Sequence, residues 1–174
     1  MLTIHDYDPE LAQKYREIEA VLYDILGKAV EIHHVGSSAL GISGKNIIDI
    51  LIGVPKTSDM RPAADKLVKS GYFEGGETEE QRIFLASRQE DTKDGDVHVH
   101  ICVKDSPVFT DFLVLRDYLR AYPDELAEYE AKKREFAMQS GGDRREYRQL
   151  KSSYIIQLLE KAHAAIAQEK PQEY

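Results

Sequence analysis

The chain has 174 residues, a formal net charge of −8 and a pI of about 5.3. This length suits a single domain built around one core. The excess of acidic residues argues against an extended nucleic-acid surface, because such binding depends on Lys and Arg neutralising phosphates. The single cysteine, Cys102, excludes an intramolecular disulfide and favours a reducing compartment.

The first residues lack the charged and apolar regions of a signal peptide, and no apolar run approaches the roughly 20 residues of a membrane span. We therefore expect a cytoplasmic protein that does not bind membranes. We also expect one domain over residues 1–174, with a sheet core at about 29–104 and a helical part at 106–169.

The first predicted element is a helix that begins near Pro9 and ends at Gly27. Asp8 supplies an N-cap acceptor, and Pro9 is tolerated in the first turn because its missing N–H has no partner there. Gly27 is typical of a helix C-terminus. The helix is expected to lay an apolar stripe on a sheet, formed by Leu11, Tyr15, Ile18, Leu22 and Ile25.

Two apolar runs of strand length follow, Val30 to Val35 and Ile47 to Val54, joined by a connection rich in Gly and Ser. Asp49 lies inside the second run. A charge in a buried strand needs a partner or a chemical role. Because strand side chains alternate, Lys45, Asp49 and Leu51 are predicted to share one face.

The next predicted elements complete an α/β arrangement. Pro55 ends the strand, and Ser58 or Asp59 begins a helix that stops at Gly71. Two further strands are predicted at 82–88 and 97–103, and the Asp94-Gly95 pair between them favours a hairpin turn. From Ser106 onward the pattern indicates helices, which begin at Ser106, at Pro123 and at about Asp143.

Ordered motifs over nearly the whole chain resemble the GrpB family. That family carries His-hydrophobic-Gly-Ser-Thr followed by Lys-Pro-Ile-Ile-Asp-Ile, and the corresponding blocks here are 34–38 and 45–50. Three departures are Ser38 in place of Thr, Asn46 in place of Pro, and a connecting loop without its usual Pro. A second resembling segment comprises Arg116, Asp117, Tyr118, Leu119, Arg120, Pro123, Tyr147 and Lys151.

The resemblance implies a fold of the α/β (α+β) class. We expect a nucleotidyltransferase-like small mixed β-sheet with flanking helices and a C-terminal helical cluster. In that fold a Gly-Ser turn after one strand holds phosphates, and carboxylates on the next strand hold a metal ion. The turn would be Gly36, Ser37 and Ser38, and the carboxylate Asp49. A second carboxylate is usual two residues along, where this chain has Leu51.

The segment VHVHICV adds a second group of polar side chains. His98, His100 and Cys102 share one face of the predicted strand, and two imidazoles at i and i+2 can converge on a metal or a phosphate. GrpB proteins show a His-hydrophobic-His pattern at this position. We hypothesise that Asp49, His98 and His100 converge over the Gly-Ser turn and bind a divalent metal, Mg, Mn or Zn. A mixed set suits a transition metal better than magnesium.

Purely structural roles are the alternative for these residues. Asp49 could form a buried structural ion pair with Lys45 or Arg82, and His100 could be a hydrogen-bonded core histidine. His34 is expected to be a supporting residue, on the opposite side of its strand from His33.

Cations are predicted to complete the site. Lys45 or Arg82 would stabilise developing charge during catalysis. Arg116, Arg120 and Lys151 would bind phosphate if they face the site, and would only balance nearby acids if they face solvent.

The leading functional hypothesis is a nucleotidyltransferase that binds a nucleotide or another small phosphorylated ligand with a divalent metal, and that promotes in-line attack on the α-phosphorus. Whether the protein is an enzyme stays open. A non-catalytic binding module is the main rival, favoured by Leu51. A metal-dependent phosphate-ester hydrolase is the third reading. The sequence leaves the nucleotide, the acceptor, the metal and the oligomeric state open.

Overall fold

The structure is a computed structural model that describes residues 2–75, 81–87 and 96–169. The chain divides into two compact units. The first unit, His5–Phe112, contains the sheet, and the second, Met1–Ile4 with Leu113–Tyr174, is helical. That the two units form a single domain stays a prediction.

A five-stranded mixed sheet forms the centre of the first unit, as predicted. The strand order is β1-β2-β5-β4-β3, in which β2 and β5 run parallel and the other neighbours run antiparallel. The strands are β1 (Glu31–Val35), β2 (Ile48–Val54), β3 (Phe73–Glu74), β4 (Ile83–Ser87) and β5 (Val97–Val103).

Six helices occur among the described residues. Three precede or interrupt the sheet, and the other three follow it and form the predicted C-terminal helical part. The bounds are α1 (Glu10–Leu26), α2 (Gly36–Leu40), α3 (Thr57–Lys69), α4 (Pro107–Ala121), α5 (Pro123–Gln139) and α6 (Arg144–Glu169). None of them has a stretch both long and apolar enough to cross a membrane.

Helix α1 forms where its sequence signals place it. The Asp8 carboxylate accepts a hydrogen bond from the Glu10 N–H at 2.9 Å, and Gly27 ends the helix at φ +85°. Both features satisfy helix-end groups that would otherwise lack partners. The predicted stripe packs on the sheet, with Leu22 fully buried in the core cluster.

Some local details differ from the prediction. The Gly- and Ser-rich connection contains the short helix α2, and α3 begins at Thr57 rather than at Ser58 or Asp59. The two-residue strand β3 carries too little pattern to be recognised in sequence. The predicted hairpin turn at Asp94-Gly95 lies outside the described residues.

The large hydrophobic cluster of the first unit lies on one side of the sheet. Alternate residues of β2 and β5 are almost fully buried there against α1 and α3: Ile48, Ile50, Ile52, Val97, Val99 and Ile101. In the helical unit, Leu2, Phe136 and Tyr147 form a buried cluster, with Leu150 and Tyr154 packed against it. The polar side chains of the candidate site are therefore left to the other face of the sheet.

Candidate functional site

Strands β2 and β5 bring the predicted aspartate and histidines together because they run parallel and in register. Asp49 is opposite His98, and Leu51 is opposite His100. With side chains alternating along each strand, Asp49, His98 and His100 share one face of the sheet. The parity expected from sequence holds for all three residues.

The three side chains are in contact. Asp49 Oδ1 lies 3.3 Å from His98 Nδ1 and 3.8 Å from His100 Nε2. The first distance is near the long end of the hydrogen-bond range, and the second is an electrostatic contact. The side chain of Asp49 is 27% exposed, against 19% for His98 and 10% for His100. The carboxylate is thus sheltered by the imidazoles and still reachable from solvent.

The protonation states follow from this packing. Burial alone would raise the pKa of Asp49, but the facing N–H groups of His100 and His98 outweigh it and hold that pKa well below its usual range. For His100, burial lowers the pKa below 6.5 against the opposing attraction of Asp49. Asp49 is therefore a fixed anion at neutral pH and a poor proton acceptor.

Arg82 and two aromatic rings border the histidines. Arg82 Nη1 lies 3.3 Å from His100 Nδ1. The Phe84 ring meets His98 edge-on at a centroid distance of 5.0 Å, and the Phe112 ring lies 4.9 Å from His100. Sequence reasoning missed both rings. Phe84 could have been found, since it stands two residues after Arg82 in a predicted strand and so shares its face.

Gly36 brings the start of α2 against the carboxylate. Its φ of +72° is in the left-handed region, which glycine adopts without strain. A Cβ at this position would lie 2.4 Å from Asp49 Oδ2, so no side chain fits. The Gly-Ser turn after β1 and the aspartate of β2 are adjacent, as expected. Ser37 follows directly and is half-buried.

Ser38 has a different environment from Ser37. It is only 5% exposed, and its Oγ lies 2.9 Å from His34 Nε2. His34 occupies the sheet face opposite Asp49, where it stacks on Tyr15 of α1 at a centroid distance of 4.2 Å. The Ser38 hydroxyl thus helps to tie α2 to β1 and α1, which fits the supporting role expected of His34. The part played by Tyr15 was missed, because its spacing marked it only as a core residue.

Lys45 lies outside β2, so the alternation of the strand does not extend to it. Asn46, at φ +56°, separates it from the strand. Within the described part of the chain, Lys45 makes no ion pair with Asp49, whose partners are the two histidines. The structural ion pair of Asp49 with Arg82 and the catalytic role of Lys45 both stay predictions.

The remaining predicted cations belong to the helical unit. Arg116 and Arg120 are one turn apart on α4, and both approach the Asp117 carboxylate, at 2.7 Å and 3.7 Å. Arg116 is mostly covered, whereas Arg120 is half-exposed. Lys151 is half-buried on α6. Their assignment to phosphate binding stays a prediction.

The described His, Cys, Asp and Glu side chains are not arranged as a metal-binding site. Among residues 2–75, 81–87 and 96–169, no three His, Cys, Asp or Glu side chains are placed to hold a metal ion. His98 and His100 both direct a ring nitrogen at the same Asp49 oxygen, so the carboxylate is their partner. The three-ligand hypothesis therefore does not fit this arrangement.

Similar proteins were found by sequence. A "UPF0157 protein" of Streptomyces coelicolor is 32% identical over 164 residues, which cover 93% of this chain and 84% of that protein. The "Glutamate-rich protein GrpB" of Alkalihalophilus pseudofirmus is 27% identical over 151 residues, covering 81% of this chain and 84% of that protein. Both similarities extend over most of each chain.

Solved structures share the fold. GrpB from Enterococcus faecalis matches with a TM-score of 0.79 and 25% identity, over 92% of this chain and 96% of that chain. The Cid1 poly(U) polymerase with MgGTP bound matches with a TM-score of 0.52 and 16% identity, over 76% of this chain and 44% of that chain. The second likeness concerns the fold alone, and it confirms the predicted nucleotidyltransferase-like architecture.

The family model "GrpB protein" matches residues 1–161, nearly the whole chain. The motifs that suggested the resemblance, from His34 to Ile50 and from Arg116 to Lys151, lie within this match. The chain therefore belongs to the GrpB family.

Proposed function

We propose that this protein binds a nucleotide, or another small phosphorylated ligand, beside Gly36 and Ser37, and that it acts as a nucleotidyltransferase. The observation that carries the proposal is the close approach of Gly36 to Asp49 Oδ2, which joins a Gly-Ser turn to a strand carboxylate. Backbone N–H groups and hydroxyls in such turns are suited to phosphate oxygens. Membership of the GrpB family and a fold shared with a polymerase that binds MgGTP support it.

In the proposed complex, Arg82 supplies positive charge near the ligand phosphates and the developing charge of in-line attack. Ser37 donates to a phosphate oxygen. Asp49, permanently ionised, accepts a hydrogen bond from the ligand or balances a cation that accompanies its phosphates. Lys45 keeps its sequence-based role beside the developing charge, and Arg116, Arg120 and Lys151 keep theirs in phosphate binding. Ser38 is left out of the phosphate contacts, because its buried Oγ faces His34.

The proposal assigns no catalytic role to a divalent metal, and the binding experiment below tests whether one is needed. The described side chains do not form a metal site by themselves, so no catalytic step is derived through an ion. A cytoplasmic location completes the proposal, and the single cysteine, Cys102, is buried.

A non-catalytic binding module is the second candidate, and Leu51 favours it. Leu51 is fully buried at the position where a second strand carboxylate is expected. A single carboxylate gives a divalent ion few of the hard oxygen ligands that phosphoryl transfer uses. Under this reading the ligand binds and is not converted.

Thermal unfolding with ATP, GTP or UTP, each with and without Mg²⁺, Mn²⁺ or Zn²⁺, tests binding. A ligand that binds only the native state stabilises it by about 2.7 kcal/mol at 100 times its dissociation constant. We expect stabilisation of the wild type that is lost in Asp49→Asn. The matched control is Asp65→Asn, a change at an exposed position of the same unit, which should keep the response.

Pyrophosphate release then separates the two candidates. Turnover that disappears in a folded Asp49→Asn variant supports the transferase, whereas binding without turnover favours the module. If millimolar nucleotide leaves the wild type unchanged with every metal, nucleotide binding is wrong. Stabilisation by metal alone, together with cleavage of a phosphate ester, would instead indicate the hydrolase.

A further inference from the structure

The proton on His100 is located by its neighbour Arg82. The two side chains are joined by a contact of 3.3 Å between Arg82 Nη1 and His100 Nδ1. A guanidinium has only N–H donors and stays protonated in proteins, so the nitrogen that faces it must present a lone pair. A neutral imidazole has one donor and one acceptor nitrogen. The proton of His100 is therefore on Nε2.

The protonated nitrogen is the one that faces Asp49. His100 Nε2 lies 3.8 Å from Asp49 Oδ1, and His98 Nδ1 approaches the same oxygen at 3.3 Å. Oδ1 thus has two imidazole neighbours. Oδ2 lies against Gly36, at the start of the Gly-Ser turn. The two carboxylate oxygens are therefore in different environments.

This arrangement is the reverse of that at a metal-bound histidine. A ligating imidazole offers one nitrogen lone pair to the metal and donates its other N–H to an acceptor. If His100 bound a metal through Nε2, its Nδ1–H would face the guanidinium of Arg82, donor against donor. If it bound through Nδ1, Arg82 would have to leave.

We infer that His100 is a positioning residue and not a metal ligand: Arg82 fixes its proton on Nε2, and this N–H attracts Asp49 Oδ1 across 3.8 Å, which orients the carboxylate with Oδ2 turned to the Gly-Ser turn. The inference deepens the proposed function by naming the Asp49 oxygen that meets the ligand, and in that part it rests on the proposal. The location of the proton rests on the Arg82 contact alone. The ligand group at Oδ2 must be a hydroxyl or amine donor or a cation, because a phosphate oxygen would be repelled.

Nitrogen-15 NMR of the histidine rings in the ligand-free protein tests the proton position directly. We expect His100 to give the Nε2–H pattern in the wild type and in Arg82→Lys, which keeps a donor. Arg82→Met removes the donor and should release His100 into a mixture of tautomers. An Nδ1–H pattern in the wild type overturns the inference without any variant and without any ligand.

A zinc titration of the same samples tests the ligand role. His100→Gln keeps an amide donor and an amide acceptor but has no imidazole, and His100→Leu has neither. Zinc affinity equal in the wild type and in His100→Gln supports the inference. A loss of more than about tenfold in His100→Gln, the range seen when metal sites are damaged, overturns it.

Binding of the nucleotide found in the thermal screen provides the remaining readout. Retained affinity in His100→Gln with loss in His100→Leu supports positioning by a donor, since the rescue needs an N–H group facing Asp49 and not an imidazole that binds metal. Equal loss in both variants overturns it. If no nucleotide binds the wild type, the proposed function fails, while the NMR and zinc results still decide the role of His100.

Discussion

At the scale of single residues, the site is organised around one carboxylate. Asp49 would be costly in a buried strand without partners, and two imidazoles of the neighbouring strand meet this need at Oδ1. Gly36 admits Oδ2 at a distance that any side chain would prevent. The position of the Asp49 carboxylate therefore depends on the absence of a side chain at Gly36.

Replacing Gly36 with Ala is expected to cost more stability than replacing Gly141. Both have positive φ, +72° and +55°, which costs an Ala about 1–2 kcal/mol. A Cβ at Gly141 meets nothing within 4 Å, whereas one at Gly36 would overlap Asp49. Urea unfolding should show Gly36→Ala to be worse by a further 1 kcal/mol or so.

The extra cost at Gly36 should be relieved when the carboxylate is removed. In a double-mutant cycle with Asp49→Ala, we expect a coupling of about 0.5–3 kcal/mol, as for residues in contact. Equal destabilisation by the two glycine changes, with no coupling to Asp49, would contradict the close approach.

At the scale of elements, the first turns of helix α4 cover the sheet face on which Asp49 lies. Phe109, in the first turns of α4, is almost fully buried. A Cβ at Gly53 of β2 would lie 2.5 Å from the Phe109 ring. Gly53 thus allows the aromatic side chain to pack directly on the strand. Gly53 lies two residues after Leu51, on the same face of the sheet.

Gly53→Ala should therefore destabilise the protein by about 1–3 kcal/mol, the usual cost of overpacking. Gly75→Ala is the matched control, because its nearest neighbour, Phe84, would be 3.5 Å away, an ordinary contact. Phe109→Leu should recover part of the loss when combined with Gly53→Ala. Equal unfolding midpoints for the two glycine variants would rule out the predicted overpacking.

Tyr147 of α6 predicts an alkaline limit to stability. Burial raises the pKa of this phenol from its usual 10.0 to about 12. A folded-state pKa above the unfolded one means that the contribution is complete below pH 10 and is lost as pH rises towards 12. Two pKa units correspond to about 2–3 kcal/mol.

Tyr147→Phe should keep the packing with Phe136 and reduce the loss of unfolding free energy between pH 9 and pH 11.5 or so. Tyr122→Phe, at an exposed position, serves as the control and should keep the wild-type profile. Unfolding in urea at a series of pH values measures this. Identical profiles for Tyr147→Phe and the wild type would show that burial of this phenol does not set the alkaline limit.

At the scale of the whole molecule, the predicted single domain implies one cooperative unfolding transition. The helical unit holds only about 65 residues, a size at which a core alone is marginal. Its boundary with the sheet unit falls inside α4, between Phe112 and Leu113. We expect neither unit to unfold separately.

Matched Leu→Ala changes test this. Leu85 in β4 and Leu158 in α6 are both fully buried, and each change should cost about 2–5 kcal/mol. Under one cooperative transition, both shift the same midpoint, and circular dichroism and tyrosine fluorescence coincide. Two separate transitions, with Leu158→Ala moving only one of them, would show independent domains.

The sequence by itself determined most of the elements, the family, and the sheet face of Asp49, His98 and His100. Helix ends followed from Asp8 and Gly27, and β5 was predicted with its observed bounds, because these features depend on neighbours in sequence. The alternation of β2 and β5 separated Asp49, His98 and His100 from the apolar residues beside them. Such periodicity is local, so one chain suffices to read it.

Only the tertiary structure decided which atoms meet. The parallel register of β2 and β5 sets Asp49 against His98, and a shift of one residue would have separated them. The contact of Arg82 with His100 determines which nitrogen carries a proton, and Ser38 pairs with His34, which stacks on Tyr15, on the opposite side from Asp49. These outcomes depend on distances between strands and helices far apart in sequence, which residue spacing does not encode.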